Sequence, residues 1–275
     1  MLTKKFFAVL TAAVLTLTLA SCSTGSGSSA KKITSPADFS GAKIAVQTAT
    51  TASDSVDAMN TDGKIEVSRY EKVTQCFDDL RLGRVDAVYV DSVVAAYYTN
   101  GRNDYERVWL SDEAEPMGIC LKKDAADLAA AVEAAVNTLY FNGKIAEIAQ
   151  KNFGDNLSKD LRGVTEAPVI PTGFTTKTAG KLTVGMEVGY PPMEYTSDDG
   201  KDYLGFDVDV AKALAELLGL EVEYVNTAWD GIFAGLDKGQ YDIIMSAVSI
   251  TPERQEKYIL TEPYVANALC IVTKK

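Results

Sequence analysis

The chain has 275 residues, 38 Asp plus Glu against 27 Lys plus Arg, and a formal net charge of −11. That acidity opposes binding to nucleic acid or to an anionic membrane surface through the protein's own charge. Histidine is absent, which excludes His-based triads, imidazole acid–base catalysis and His-ligated metal sites.

At the start of the chain, Lys4 and Lys5 precede an apolar run over 6–19, then LASC at 19–22 and a Ser/Gly/Thr-rich stretch to residue 30. The run is too short to span a bilayer comfortably and has the flanks of an export signal. LASC resembles a bacterial lipobox, in which Cys22 receives lipid and becomes the first residue. Residues 1–21 are then a lipoprotein signal peptide and 22–32 a flexible tether, and stable anchoring needs more than one acyl chain. Losing Lys4 and Lys5 moves the net charge from −11 to −13. No later run has spanning length, so the body is expected to be soluble on the extracytoplasmic face of the cell membrane. Cys76, Cys120 and Cys270 have no metal-type spacing. Cys120 and Cys270 share apolar strand contexts, and whether any of the three pair stays open.

From residue 43 the pattern alternates short β-branched strands with amphipathic helices, which indicates α/β architecture with parallel sheets. Strands are expected at 43–46, 65–68 and 87–90, with helices at 52–59, 73–82 and 92–98. A strand at 117–121 leaves this first unit, and helices follow at 125–141 and 144–153. Residues 154–181, rich in Pro, Gly and Thr, form a linker by composition. A second α/β unit then begins with a strand at 182–185 and a polar turn at 197–200. Helix 206–218 carries its apolar residues on one face and ends at Gly219. Strand 221–225, helix 229–238, strand 243–245 and a last strand at 268–273 complete the order.

The run SAVSITPER at 246–254 follows an apolar strand and combines two hydroxyls, a Thr-Pro helix start and an arginine. Thr251 is placed as N-cap, and the orphan N–H groups of the helix beginning at Pro252 favour an anion. Arg254 adds a planar fork that grips both oxygens of a carboxylate. GMEVGYPPME at 185–194, GFDVD at 205–209, WDGI at 229–232 and this run resemble, in order, the first lobe of polar amino-acid binding proteins of ABC importers. IAVQTATT at 44–51, LGRVDAVYVD at 82–91 and the helices from Asn142 to Phe153 resemble the second lobe of the same family.

That resemblance implies a two-lobed, type II periplasmic-binding-protein fold whose halves are circularly permuted. It puts the second lobe at 33–117 and the first at 118–275, with 154–181 joining the usual termini and a single covalent crossing near 118–121. It further implies that Ser246, Ala247 through its backbone N–H, Ser249 and Arg254 hold a ligand carboxylate. Thr51 would grip the same group from the opposite lobe, and Asp91 would take the α-ammonium. Tyr190 and Trp229 would sandwich the ligand side chain, and Glu187 would meet a basic or amide end. Each has a plainer reading: an exposed helix-start arginine, N-caps at Thr51 and Asp91, core aromatics, and a solvent-facing strand-end glutamate.

The implied protein is a monomeric, lipid-anchored receptor for a polar, basic L-amino acid (lysine, arginine or glutamine), working with an ABC permease. It is expected to be no enzyme and to need no cofactor or metal. The alternatives are a cyclohexadienyl or arogenate dehydratase on the same fold, with Glu187 or Asp91 as general acid, and the sensor module of an amino-acid receptor.

Overall fold

The computed structural model describes residues 31–159 and 161–275. The expected signal peptide, Cys22 and most of the tether lie outside the described residues. After a short 3-10 turn, the first unit runs β1 (Lys43–Gln47), α1 (Thr51–Met59), β2 (Glu66–Tyr70), α2 (Val73–Arg81), β3 (Ala87–Asp91), α3 (Ser92–Thr99) and β4 (Tyr105–Leu110). The chain then passes to β5 (Cys120–Lys122), α4 (Ala126–Phe141) and α5 (Lys144–Phe153). After the linker come β6 (Lys181–Met186), the small pair β7 (Tyr195–Thr196) and β8 (Tyr203–Leu204), and α6 (Phe206–Leu218). The order ends with β9 (Glu221–Asn226), α7 (Trp229–Asp237), β10 (Ile243–Ile244), α8 (Pro252–Lys257), β11 (Tyr258–Leu260) and β12 (Leu269–Lys274).

These strands build two five-stranded sheets of one design, ordered β2-β1-β3-β12-β4 and β9-β6-β10-β5-β11. In each sheet the first three strands are parallel. In each the fourth is antiparallel to both neighbours. The fourth strand always belongs to the chain arriving from the other lobe: β5 enters the second sheet, and β12 returns to the first. This is the two-lobed type II arrangement expected. It corrects the single crossing, because the chain passes between the lobes twice, at 111–119 and at 261–268. The lobe boundary shifts accordingly, since β12 lies in the first lobe rather than in a second block reaching residue 275. The two passes run side by side. The Met117 N–H donates to Val265 O at 3.1 Å and the Tyr264 N–H to Met117 O at 3.0 Å.

Two strands escaped the sequence reading. β4 is a charged edge strand, half-exposed along most of its length, and β11 has only three residues directly after α8. Cys120 and Cys270, considered as neighbours, lie in different sheets, and Cys76, Cys120 and Cys270 are buried and unpaired among the described residues. Burial pushes the thiols of Cys120 and Cys270 up to about 12. The helices bury one apolar face on each sheet. Gly185 in β6 is required by packing, because a Cβ there would lie 2.4 Å from the Tyr241 ring. Among the described residues, no helix is long and apolar enough to cross a membrane.

Candidate functional site

Ligands of open α/β sheets bind beyond the carboxyl ends of parallel strands, and here the two sheets present those ends to each other. β1 ends at Gln47, β3 at Asp91, β6 just before Glu187 and β10 just before Ser246. The space between them is a small cavity. All nine residues assigned from sequence line it, from Thr51 and Asp91 to Arg254, and Gln47 and Thr50 join them.

Arg254 stands in the first turns of α8, whose N-cap is Thr251; the Arg254 N–H donates to Thr251 Oγ1 at 3.2 Å. Its guanidinium lies over the rings of Trp229 (5.5 Å) and Phe233 (5.2 Å). Nη1 donates to Ser249 O at 2.9 Å. It makes no ion pair among the described residues. Burial pulls its pKa below the usual value, while the carboxylates of Glu115 and Asp91 oppose that shift. The result is a desolvated cation with donors still to place.

Asp91 faces it from the other lobe. The plain capping role is not realised, because its side chain makes no capping bond to α3. Instead the Tyr190 hydroxyl donates to Oδ2, and Asn267 Nδ2 donates to Oδ1 at 2.5 Å. Burial and the Glu115 charge lift Asp91 to about 7, against those two hydrogen bonds. Tyr190 therefore ties the lobes together through its hydroxyl while its ring lines the cavity. Trp229 does the same: Nε1–H donates to Ala49 O at 2.8 Å. Ala49 and Ala247 hold φ of 60° and 49°. This left-handed backbone is costly for a residue with a Cβ, and such strain gathers at ligand sites.

The expected carboxylate donors are more committed than the sequence implied. The Ser246 hydroxyl donates to Glu194 Oε1 at 2.5 Å and accepts from the Glu187 N–H at 3.0 Å. The Ala247 N–H, expected to face the ligand, donates to Asp207 Oδ2 at 2.8 Å. Both residues are thus fixed from below by a buried carboxyl pair. Glu194 and Asp207 interact electrostatically, burial raises both, and Glu194 Oε2 is buried without a hydrogen-bond partner among the described residues. One shared proton meets their needs, since two adjacent buried carboxylates cannot both ionise. Thr51 is not an N-cap; Thr50 is, accepting from the Ser53 N–H at 3.2 Å. The Thr51 and Ser249 hydroxyls both donate to Glu115 Oε1, each at 2.7 Å.

At the far end, Glu187 is 3% exposed. Its Oε2 accepts from Gln47 Nε2 at 2.7 Å, while Oε1 and the Gln47 Oε1 are buried without partners among the described residues. Burial raises Glu187 to about 7, eased by the Gln47 bond and by Lys72. Sequence reasoning missed Gln47, Thr50, Glu115, Glu194 and Asp207. A polar residue closing the apolar strand β1 is a signal for Gln47; the acids of PPME and GFDVD carry no local pattern that assigns them a role. Among the described residues, no group of three or more His, Cys, Asp or Glu is placed to hold a metal ion.

Residues 182–275 match the model of the bacterial extracellular solute-binding proteins, family 3. This C-terminal third of the chain resembles that family. The chain is similar to the L-cystine-binding protein TcyJ of Escherichia coli, with 40% identity over 99 residues covering 36% of this chain and 37% of that protein. The ABC transporter arginine-binding protein 1 of Escherichia coli is 34% identical over 102 residues, covering 37% and 42%. The cyclohexadienyl dehydratase of Pseudomonas aeruginosa is 36% identical over 95 residues, covering 34% and 35%. The chain thus spans about two-fifths or less of the length of these relatives.

Proposed function

We propose that the whole chain is a solute-binding protein of this family, a receptor that captures a polar, basic L-amino acid between its lobes and delivers it to an ABC permease. It would be monomeric and held on the extracytoplasmic face of the cell membrane by lipid on Cys22, with its lobe-coding blocks in circularly permuted order. The observation that carries the reading is the Arg254 guanidinium, desolvated, without an ion-pair partner among the described residues, and set across a small cavity from Asp91.

In this mechanism the ligand carboxylate lies on Arg254 and draws on the hydroxyls of Ser249 and Thr51. The α-ammonium lies on Asp91, whose ionised form it favours, and the basic end lies on Glu187. The aromatic surfaces of Trp229 and Tyr190 cover the aliphatic stem. Because the contacts come from both lobes, binding favours closure only by its differential affinity for the closed state. Closure presents the paired lobes to the permease.

Relatives named for cystine and arginine binding support capture without turnover. A dehydratase would need a general acid. Both Asp91 oxygens already accept hydrogen bonds, which leaves Glu187 as the candidate, and product formation from prephenate or arogenate would favour that reading. The deciding experiment is calorimetry on Arg254→Ala with a panel of L-amino acids. Removing one partner of a desolvated charge pair costs about 3–5 kcal/mol, so binding is expected to vanish while the unfolding midpoint holds. Unchanged affinity would sink the assignment.

A further inference from the structure

Beneath the wall formed by Ser246 and Ala247 lie two carboxyls that ligand capture, as set out above, does not use. Glu194 and Asp207 are both 0% exposed. The charges that act most on Glu194 are those of Asp207 and Glu187, both negative. The other titratable groups that feel its charge are the buried phenols of Tyr190 and Tyr264. Neither acid has an ion-pair partner among the described residues.

The hydrogen bonds divide the pair unequally. Asp207 stands in the first turn of α6, where the helix dipole favours a negative charge. Its Oδ1 accepts from the Tyr264 hydroxyl and its Oδ2 from the Ala247 N–H, each at 2.8 Å. Glu194 Oε1 accepts from the Ser246 hydroxyl, while its Oε2 is buried without a partner among the described residues. Asp207 thus has a donor for each oxygen and is suited to carry the charge. Glu194 has an idle oxygen and an anionic neighbour, and a proton answers both.

We infer that Glu194 is a positioning residue that keeps a proton on Oε2 and, with Asp207, locks the wall of Ser246 and Ala247 for ligand capture. This rests on the receptor reading above. The proton lets the two acids share one dry space, and each then holds one wall residue. Ser246 gives its hydrogen to Glu194 and accepts from the Glu187 N–H, so a single lone pair is left for the cavity. Ala247 is held at its φ of 49° by the bond to Asp207. Tyr264 carries the same pair to the second interlobe crossing, and its N–H donates to Met117 O, on the first, at 3.0 Å. The wall is therefore joined through the pair to both segments that link the lobes.

Two readouts test this. Infrared spectra are taken at about pH 8.5, above the values of about 7 for Asp91 and Glu187. The wild type is expected to show the carbonyl stretch of a protonated carboxylic acid, and Glu194→Gln to lack it. Calorimetry with L-arginine as the probe then compares Glu194→Gln with Glu194→Met. The glutamine amide repeats the protonated acid, with an oxygen for Ser246 and an N–H toward Asp207, so affinity should stay within about twofold. Methionine removes these bonds, and affinity should fall at least about tenfold, the worth of one hydrogen bond. The inference is overturned if the wild type lacks the band, or if the band survives in Glu194→Gln. It is also overturned if glutamine costs as much as methionine, or if methionine costs nothing. Should Glu194→Met fail to fold, the band and the glutamine variant decide alone. If the wild type shows the band yet binds neither L-arginine nor another amino acid, the receptor reading falls while the proton assignment stands.

Discussion

Glu187 is where the chemistry of a single residue can be read with a sign. Its ordinary carboxyl value of 4.5 is raised to about 7, first by burial, and partly offset by Gln47 and Lys72. A raised carboxyl means that the folded state holds the proton over a range where the unfolded chain has released it. The unfolding free energy therefore falls as pH climbs from about 4.5 to about 7 and is level above that. The shift corresponds to about 3 kcal/mol lost across this window in the ligand-free protein. Glu187→Gln removes the titration, so its stability minus that of the wild type is expected to grow across the same window and then hold constant. Urea unfolding of both proteins from pH 4 to 8 measures this, and parallel curves would show that Glu187 titrates as an ordinary surface acid. That all nine assigned residues line one cavity was legible because motif spacing carries them to strand ends. How they are used was not. The Ala247 N–H turns to Asp207 and the Ser246 hydroxyl to Glu194, and those partners lie 40 and 52 residues away. No local pattern encodes which way such a donor faces.

Among the elements, the segment after α5 does more than its composition implies. Residues 154–181 read as a linker, yet Arg162 is 9% exposed and holds the second interlobe crossing. Nε donates to Pro263 O at 2.8 Å, Nη2 to Glu262 O, and Nη1 to Glu133 and to Asn137 Oδ1, the last at 2.8 Å. Ser158 Oγ adds a bond to Tyr264 O at 2.7 Å. The guanidinium thus joins the linker, α4 and the returning chain. Arg162→Ala strands a carboxylate and two carbonyls, and the expected loss is about 3–5 kcal/mol in urea unfolding. Arg162→Lys should recover only part, because an ammonium lacks the planar fork. A loss below about 1 kcal/mol for the alanine variant would mean that water replaces these bonds. The position of β12 was hidden for a related reason. An apolar run such as LCIVTK fits the open side of either sheet, and only its pairing with β3 and β4 fixes the lobe. The strand–helix rhythm made the two units plain, but it carries no information about which sheet receives a strand that crosses.

For the whole molecule the question is what holds the lobes together when the cavity has no ligand. Gln47 to Glu187, Trp229 to Ala49 and Tyr190 to Asp91 each run from one lobe to the other. Glu115 acts differently, because it stands on the first crossing and belongs to neither wall. Its Oε1 accepts from Thr51 of the first lobe and Ser249 of the second, both at 2.7 Å. These are the hydroxyls that the proposed ligand carboxylate would use, so Glu115 stands in for that carboxylate and bridges the lobes with one oxygen. A hydrogen bond to a charged acceptor contributes about 1.5–3 kcal/mol, and 1.4 kcal/mol already changes a two-state ratio tenfold. Losing the bridge should therefore move the resting population measurably toward open. Glu115→Ala is expected to raise the ligand-free radius of gyration in small-angle scattering. A saturating amino-acid ligand, whose carboxylate takes over both hydroxyls, should return the variant to the compact value. The wild type should compact less on binding, because it starts nearer to closed. Identical ligand-free scattering curves for the two proteins would show that the three direct interlobe bonds suffice and that Glu115 does not set the resting state.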